Sequence, residues 1–261
     1  MTAAAISAMW RHPVKGFTPE PLAEAVLSED GFFPGDRLFA FEVGASGYDA
    51  DAPKFISKMK FAVLARFAAI ARMRTRYDDD ERRIDLYHEE ALRCFNIDGE
   101  DGREALCRYV ETLLARYEDY DPARFPLKFL RAPERGFRFM DSSKGFVSLL
   151  NMASLRELAQ RLDADLDPLR LRCNIWMEGL DAFEDHAWVG RRLRVGDDGP
   201  ELEVIKPIER CVATHVNPET AVRDVDVCSG LWENYGHRDC GIYARVVNSG
   251  TVCSGDEIRL A

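Results

Sequence analysis

The chain has 261 residues, 46% hydrophobic and 31% charged, enough to bury a substantial core in one large domain or two small ones. With 35 Lys and Arg against 45 Asp and Glu, its formal net charge is −10, which excludes a dedicated nucleic-acid or anionic-membrane binder but not a local basic pocket. The longest apolar stretch, Phe61–Ala71, is interrupted by Arg66 and is too short to span a bilayer.

The first fifteen residues lack a basic region followed by a long apolar one, so no secretory signal is expected. Ile6–Trp10, Ala23–Leu27 and Leu38–Val43, separated by Pro13, Asp30-Gly31 and Gly35-Asp36, read as strands. Pro53–Arg74 is ambiguous between a helix, a buried strand, or one followed by the other. The charged run Asp78–Arg83 reads as a solvated hairpin turn. Gly102–Glu118 gives the clearest helix, since Leu106, Tyr109, Val110, Leu113 and Leu114 recur on one face.

Asp121–Pro133, with three prolines, predicts a linker. A second helix is expected over Met152–Leu162, capped by Asn151 or Ser154. Short strands return from Leu169: LRCNIWME, ELEVIKPIERC, CGIYARVV and EIRLA. The strand through Val204 and Ile205 is expected to stop at Pro207 and resume. There is no internal repeat, and many short strands with few helices predict an α+β protein organised on β-barrels.

The seven cysteines are odd in number and too widely spaced for a CxxC zinc or iron–sulfur pattern, and the five histidines form no HExxH. A reduced, cytoplasmic protein is expected. Cys211 ends a strand beside Arg210. A fixed cation lowers a thiol's pKa, and the thiolate is the form that binds metal or attacks sulfur; a buried core cysteine is the alternative.

Several pieces then occur together in one order. His12-Pro13-Val14-Lys15 is similar to a YPVKS motif, and Gly35-Asp36-Arg37 contains a "DR". Ser148–Leu155 is similar to a serine-rich helix start, and Arg170–Ile175 to RFRPNI. Phe183-Glu184-Asp185 with Trp188 is similar to EDxW; Arg210-Cys211, Thr214 and Asn217–Thr220 are similar to RC…T…(D/N)PxT. Gly241-Ile242-Tyr243 and Gly250…Gly255-Asp256 match the closing strands. Over nearly its whole length the chain thus resembles the MOSC proteins, in the group with an N-terminal β-barrel domain that includes the mitochondrial amidoxime-reducing component.

The resemblance implies a MOSC N-terminal β-barrel-like domain over 1–120, with the helix at 102–118, and a predominantly β-barrel MOSC domain over 121–261. It implies the molybdenum cofactor (molybdopterin), with Cys211 as metal ligand and catalytic residue: a soft thiolate completes a set begun by the pterin's two sulfurs. Lys15, Arg37, Arg170 and Arg172 are the cations for the pterin phosphate, and Arg210 and Ser154 join the cofactor-binding set. Asn174 would reach the pterin edge. Read as residues alone, Arg37 pairs with Asp36, and Arg170 and Arg172, two apart on a strand, share one face.

Three departures stand out. Gly16 replaces the serine after PVK, Cys173 replaces the proline of RPN, and Tyr48–Ala52 replaces a TAR motif. The implied activity is reduction of N-hydroxylated small molecules. No CxxxxCxxC follows the last strand, so electrons are expected from a separate electron-transfer protein. The alternatives are a sulfur carrier with a persulfide on Cys211, or a non-catalytic cofactor carrier. No pyridoxal phosphate, nucleic acid or membrane partner is expected.

Overall fold

The computed structural model describes residues 3–143 and 146–261. Its strands and helices are β1 (Ala4–Arg11), β2 (Glu20–Leu22), β3 (Glu24–Leu27), β4 (Phe39–Val43), β5 (Arg74–Asp78), β6 (Arg83–His88), β7 (Ala91–Asn96), α1 (Glu100–Tyr117) and β8 (Leu127–Arg131). There follow β9 (Val147–Asn151), α2 (Met152–Arg161), β10 (Ile175–Glu178), β11 (Arg192–Val195), β12 (Glu201–Glu209), α3 (Val227–Tyr235), β13 (Asp239–Val246), β14 (Gly250–Cys253) and β15 (Glu257–Leu260). The fold is α+β and mostly β.

Seven strands close into a ring in the order β1-β10-β9-β13-β12-β11-β15, with β2 added to the side of β1. Only β9 and β10 run parallel within it. The alternation of β1 is what admits it to the ring. Ala4 and Ile6 point inward, a register shift follows before Ala8, and Met9 then takes the inward position. Leu149, Met177, Leu193, Val204, Ile242 and Ile258 fill the interior with them. The long-range antiparallel pair of β3 and β14 packs Leu27 and Val252 against the same core.

β12 corrects one expectation. It does not stop at Pro207 but runs to Glu209, with register shifts on both sides of the proline. Proline has no N–H for the ladder, so it is tolerated where the ladder is irregular.

The second core surrounds α1, whose Leu106, Val110, Leu113 and Leu114 meet the β4–β8 pair and the β5-β6-β7 meander. The predicted linker is corrected here. Leu127–Arg131 is a strand, paired from Phe39↔Arg131 to Val43↔Leu127, because Pro126 and Pro133 flank it rather than interrupt it. The ambiguous stretch 53–74 is neither an α-helix nor a strand. It holds two 3-10 turns, Lys58–Lys60 and Ala68–Arg72, joined by an extended Phe61 and a further turn over 64–66. Phe61 and Val63 pack on one side with Phe139, while Ala62 and Leu64 pack on the other with Phe17 and Phe41. A segment wedged between two cores is apolar on both sides and shows no single period.

The Asp78–Arg83 run is the β5–β6 turn. Asn151 caps α2 by accepting from Ala153 N. Among the described residues no helix is long and apolar enough to cross a membrane.

Candidate functional site

Where β12 leaves the ring, Arg210 turns inward and Cys211 stands partly exposed in extended geometry (φ −134°, ψ 171°). The next residues tighten at once into a 3-10 turn, Val212–His215. Thr214 stitches it, with its N–H (2.9 Å) and its hydroxyl (2.8 Å) both donating to the Cys211 carbonyl. The backbone is thereby fixed and Sγ projects into a cleft of about 760 Å³. That volume lies within the range of small-molecule and cofactor sites.

Lys58 reaches the same sulfur from the other core. Its Nζ donates to Cys211 Sγ at 2.9 Å from a 3-10 turn capped by Ser57. Burial opposes the ammonium's charge, but the hydrogen bond to Cys211 and that residue's charge raise its pKa above the ordinary value. Seven Lys and Arg side chains line the cleft against three Asp and Glu, a formal +4 in a chain of net −10. Such a pocket favours an anion.

The structure brings Arg37, Arg170, Arg172 and Arg210 to this cleft with Cys211, and Lys15 to an adjoining cavity of about 30 Å³ that also touches Cys211, Lys58 and Arg172. Most of these cations already have partners. Lys15 donates to Phe139 O (2.8 Å) and pairs with Asp141, and burial lowers its pKa. Arg37, in left-handed geometry (φ 48°), grips both oxygens of buried Asp36 at 2.7 and 2.6 Å and reaches Arg172 O at 3.3 Å. Asp36 also accepts from His12 N at 2.6 Å. Burial alone would raise Asp36, but Arg37 and His12 outweigh it and hold the carboxyl well below its usual range.

Arg170 and Arg172 are not on a strand, which corrects the shared-face reading. Arg170 lies within the 3-10 turn Pro168–Leu171, and Arg172 follows that turn in left-handed geometry (φ 53°). Arg170 pairs with Asp224 at 2.7 Å and donates to His215 O at 3.0 Å. Arg210 is a clamp: it donates to Leu171 O (2.6 Å), Cys240 O (2.7 Å) and Cys173 Sγ (3.2 Å), tying the exit of β12 to β13 and to the turn before β10.

Arg37 and Arg170 each hold a carboxylate, although Arg170 keeps an unpartnered Nε; among the described residues Arg172 has no ion pair. Its Nη2 is sealed from solvent without a hydrogen-bond partner, and burial together with the charge of Arg37 pushes its pKa down to about 9. An unsatisfied buried donor of this kind costs about 1–3 kcal/mol. An anion in the cleft would satisfy it, so the cations and the soft sulfur fit a phosphate-bearing, sulfur-rich ligand.

Two predicted residues lie elsewhere. Ser154 is a fully buried residue of α2, its hydroxyl accepting from Phe183 N at 2.8 Å. Asn174 is fully buried behind the cleft: Oδ1 accepts from the Ser148 hydroxyl (2.7 Å) and Nδ2 donates to Trp10 O (3.1 Å). Neither lines the cleft. Sequence reasoning missed Lys58, Asp141 and Cys228, which do line it. Lys58 sits in the aperiodic stretch, where no pattern marks it.

Among the described residues no group of three or more His, Cys, Asp and Glu could hold a metal. A metal at Cys211 would therefore take its remaining ligands from outside the protein, as a dithiolene provides.

Residues 3–112 match the model of the MOSC N-terminal beta barrel domain, and residues 137–259 that of the MOSC domain. The chain is 26% identical over 196 residues to mitochondrial amidoxime-reducing component 1 of Homo sapiens, covering 66% of this chain and 56% of that one. It is 24% identical over 234 residues to the Homo sapiens mitochondrial amidoxime reducing component 2, covering 84% and 68%. The chain thus spans little more than half the length of component 1. Of solved structures, the YUAD protein from Bacillus subtilis is similar with a TM-score of 0.46 and 14% identity, over 98% of this chain and 94% of that one.

Proposed function

Because the chain belongs to the MOSC-domain proteins that carry a MOSC N-terminal beta barrel domain, we propose that it is a molybdenum-cofactor-dependent oxidoreductase acting on N-hydroxylated small molecules. The observation that carries this reading is the pairing, in one cleft, of an accessible sulfur with a buried arginine donor that has no partner. The names of the relatives support the substrate class. When bound, the cofactor supplies a metal that changes oxidation state by two electrons.

The chain's own residues have separable roles. Cys211 offers the protein sulfur, held by the Thr214-stitched turn. Arg172 binds the cofactor's phosphate, with Arg37 and Arg170 oriented beside it by Asp36 and Asp224. Lys15 and Arg210 act on the frame: one ties down Asp141, the other fixes the β12 exit. Electrons come from a separate electron-transfer protein. All seven cysteines are unpaired, which supports a reducing compartment, and we assign the cytoplasm.

The test is metal and pterin analysis of the purified protein, with reduction of benzamidoxime by a reduced viologen. Cys211→Ser should abolish turnover and leave the circular dichroism spectrum and unfolding midpoint unchanged, since a hydroxyl is a harder and far less acidic ligand. Cyanide-releasable sulfur without molybdenum in the wild type would replace this reading with sulfur carriage.

A further inference from the structure

Exposed large apolar side chains are ordinary when scattered singly and informative when gathered. Ten occur among the described residues, and three of them, Phe55, Met59 and Val212, lie within three residues of one partner in the Lys58–Cys211 contact. Phe55 and Val212 also line the cleft. The other large apolar liners, Met140, Leu171 and Ile208, are buried, the last two packed in one core with Leu150 and Leu155. Phe55 and Val212 instead remain 53% and 46% exposed, in a cleft whose lining is mostly charged and polar.

The two reach the sulfur from different sides. Phe55 precedes Lys58 by three residues, in the segment wedged between two cores, and Val212 opens the 3-10 turn that follows Cys211. The surface they offer is too small for a protein partner, since a specific interface buries about 1,200–2,000 Å². It suits the hydrocarbon body of one small molecule, because ligand sites combine apolar and aromatic walls with a few polar groups that fix orientation.

Two further cations line the cleft, Lys206 and Arg238, and these would favour an anionic body instead. Lys206 stands five residues before Cys211, about 16 Å of extended chain at ~3.3 Å per residue. Its ammonium lies over the Tyr243 ring, 5.8 Å from the centroid. Arg238 shares the lining with the carboxylate of Glu209, whose strand position pairs with Asp239. Next to the sulfur, the surface left to cover is apolar.

We propose that Phe55 and Val212 are specificity-determining residues that clasp the uncharged, apolar body of the N-hydroxylated substrate and leave its N–OH group on the Cys211 side. This rests on the reductase reading above. Neutral substrates with an aromatic or bulky aliphatic body are favoured, and hydroxylamines without one are poor substrates.

The experiment uses cofactor-loaded wild type, Phe55→Ala, Val212→Thr and, as a control on an exposed side chain of β6, Tyr87→Ala, with a reduced viologen. It reads the ratio of kcat/KM for benzamidoxime to that for N-methylhydroxylamine, which carries the N–OH group on a single methyl. One methylene in an apolar pocket changes such ratios about 10–200-fold. The Phe55 ring is only half covered before binding and lies at an open wall, so Phe55→Ala should lower the ratio about tenfold, chiefly through KM for benzamidoxime. Val212→Thr, which keeps the shape and adds a hydroxyl, should move it in the same direction, and Tyr87→Ala should match wild type. Binding is read without turnover by calorimetry with benzamide, which has the ring but no N–O bond. Its heat-capacity change on loaded wild type should be negative and should shrink in Phe55→Ala. Wild-type ratios and heat capacity in both cleft variants overturn the assignment and leave the reductase reading standing. So does a wild type that prefers 4-carboxybenzamidoxime to benzamidoxime and loses that preference in Lys206→Met. A loaded wild type that reduces neither compound overturns both readings.

Discussion

Asp36→Asn tests the charge arrangement behind the site. Asp36 is fully buried and takes two hydrogen bonds from Arg37 at 2.7 and 2.6 Å and one from His12 N at 2.6 Å. Asparagine keeps the shape but sets an amide N–H₂ against the guanidinium and removes its counter-charge. Removing one partner of a buried pair costs about 3–5 kcal/mol, because the other charge stays buried. At roughly 2 °C per kcal/mol for a chain of this size, the unfolding midpoint should fall by about 6–10 °C.

The pH dependence has a fixed sign. The folded pKa of Asp36 lies below its ordinary 3.8, so its stabilisation is complete above that value and is lost as pH falls through the folded pKa. The gap between Asp36→Asn and wild type, measured by urea unfolding, should be full at pH 7 and narrow only in acid below about 3.8. Adding Arg37→Met should recover about 2 kcal/mol, since no uncompensated charge then remains. A loss under 1 kcal/mol, or a double variant no more stable than the single, would refute the buried-pair account.

Arg172→Met should raise the unfolding midpoint slightly or leave it unchanged, because it removes an unpaired buried donor, while pterin content falls at least about tenfold; the two are read by calorimetry and fluorescence. Cys173→Ala should cost about 1 kcal/mol of packing and keep amidoxime reduction, since the thiol's contacts are to Arg210 and Leu171 O. Gly16→Ser, which restores the motif's usual residue, should destabilise by about 1–3 kcal/mol in denaturant titrations. Gly16 has φ +87°, and a Cβ there would sit 2.8 Å from Ala62 O.

Order along the chain was legible because the local signals were strong. The α1 stripe, the Asn151 cap and the alternation of the late strands each act within a few residues. The barrel class was legible from the many short strands, but the strand order was not, since nothing in Ala4–Arg11 says that its partners are β10 and β15. At the site, motif order grouped Cys211 with four arginines, and these line one cleft. It could not tell a side chain facing the cleft from one buried behind it: Ser154 and Asn174 spend their hydrogen bonds on Phe183, Ser148 and Trp10. Lys58 was invisible because its position depends on a segment wedged between two cores, and wedging leaves no periodicity.

The β1 stave has a consequence for how this molecule is made. Ala4 pairs with Ile258, so on a ribosome β1 must wait for β15, far later in the chain, before that edge is covered. The α1 core, by contrast, is built largely from residues close in sequence and can gather while synthesis continues. Closure of the ring is therefore a late, long-range event. Until it happens β1 is an open edge, exposed to the wrong partner.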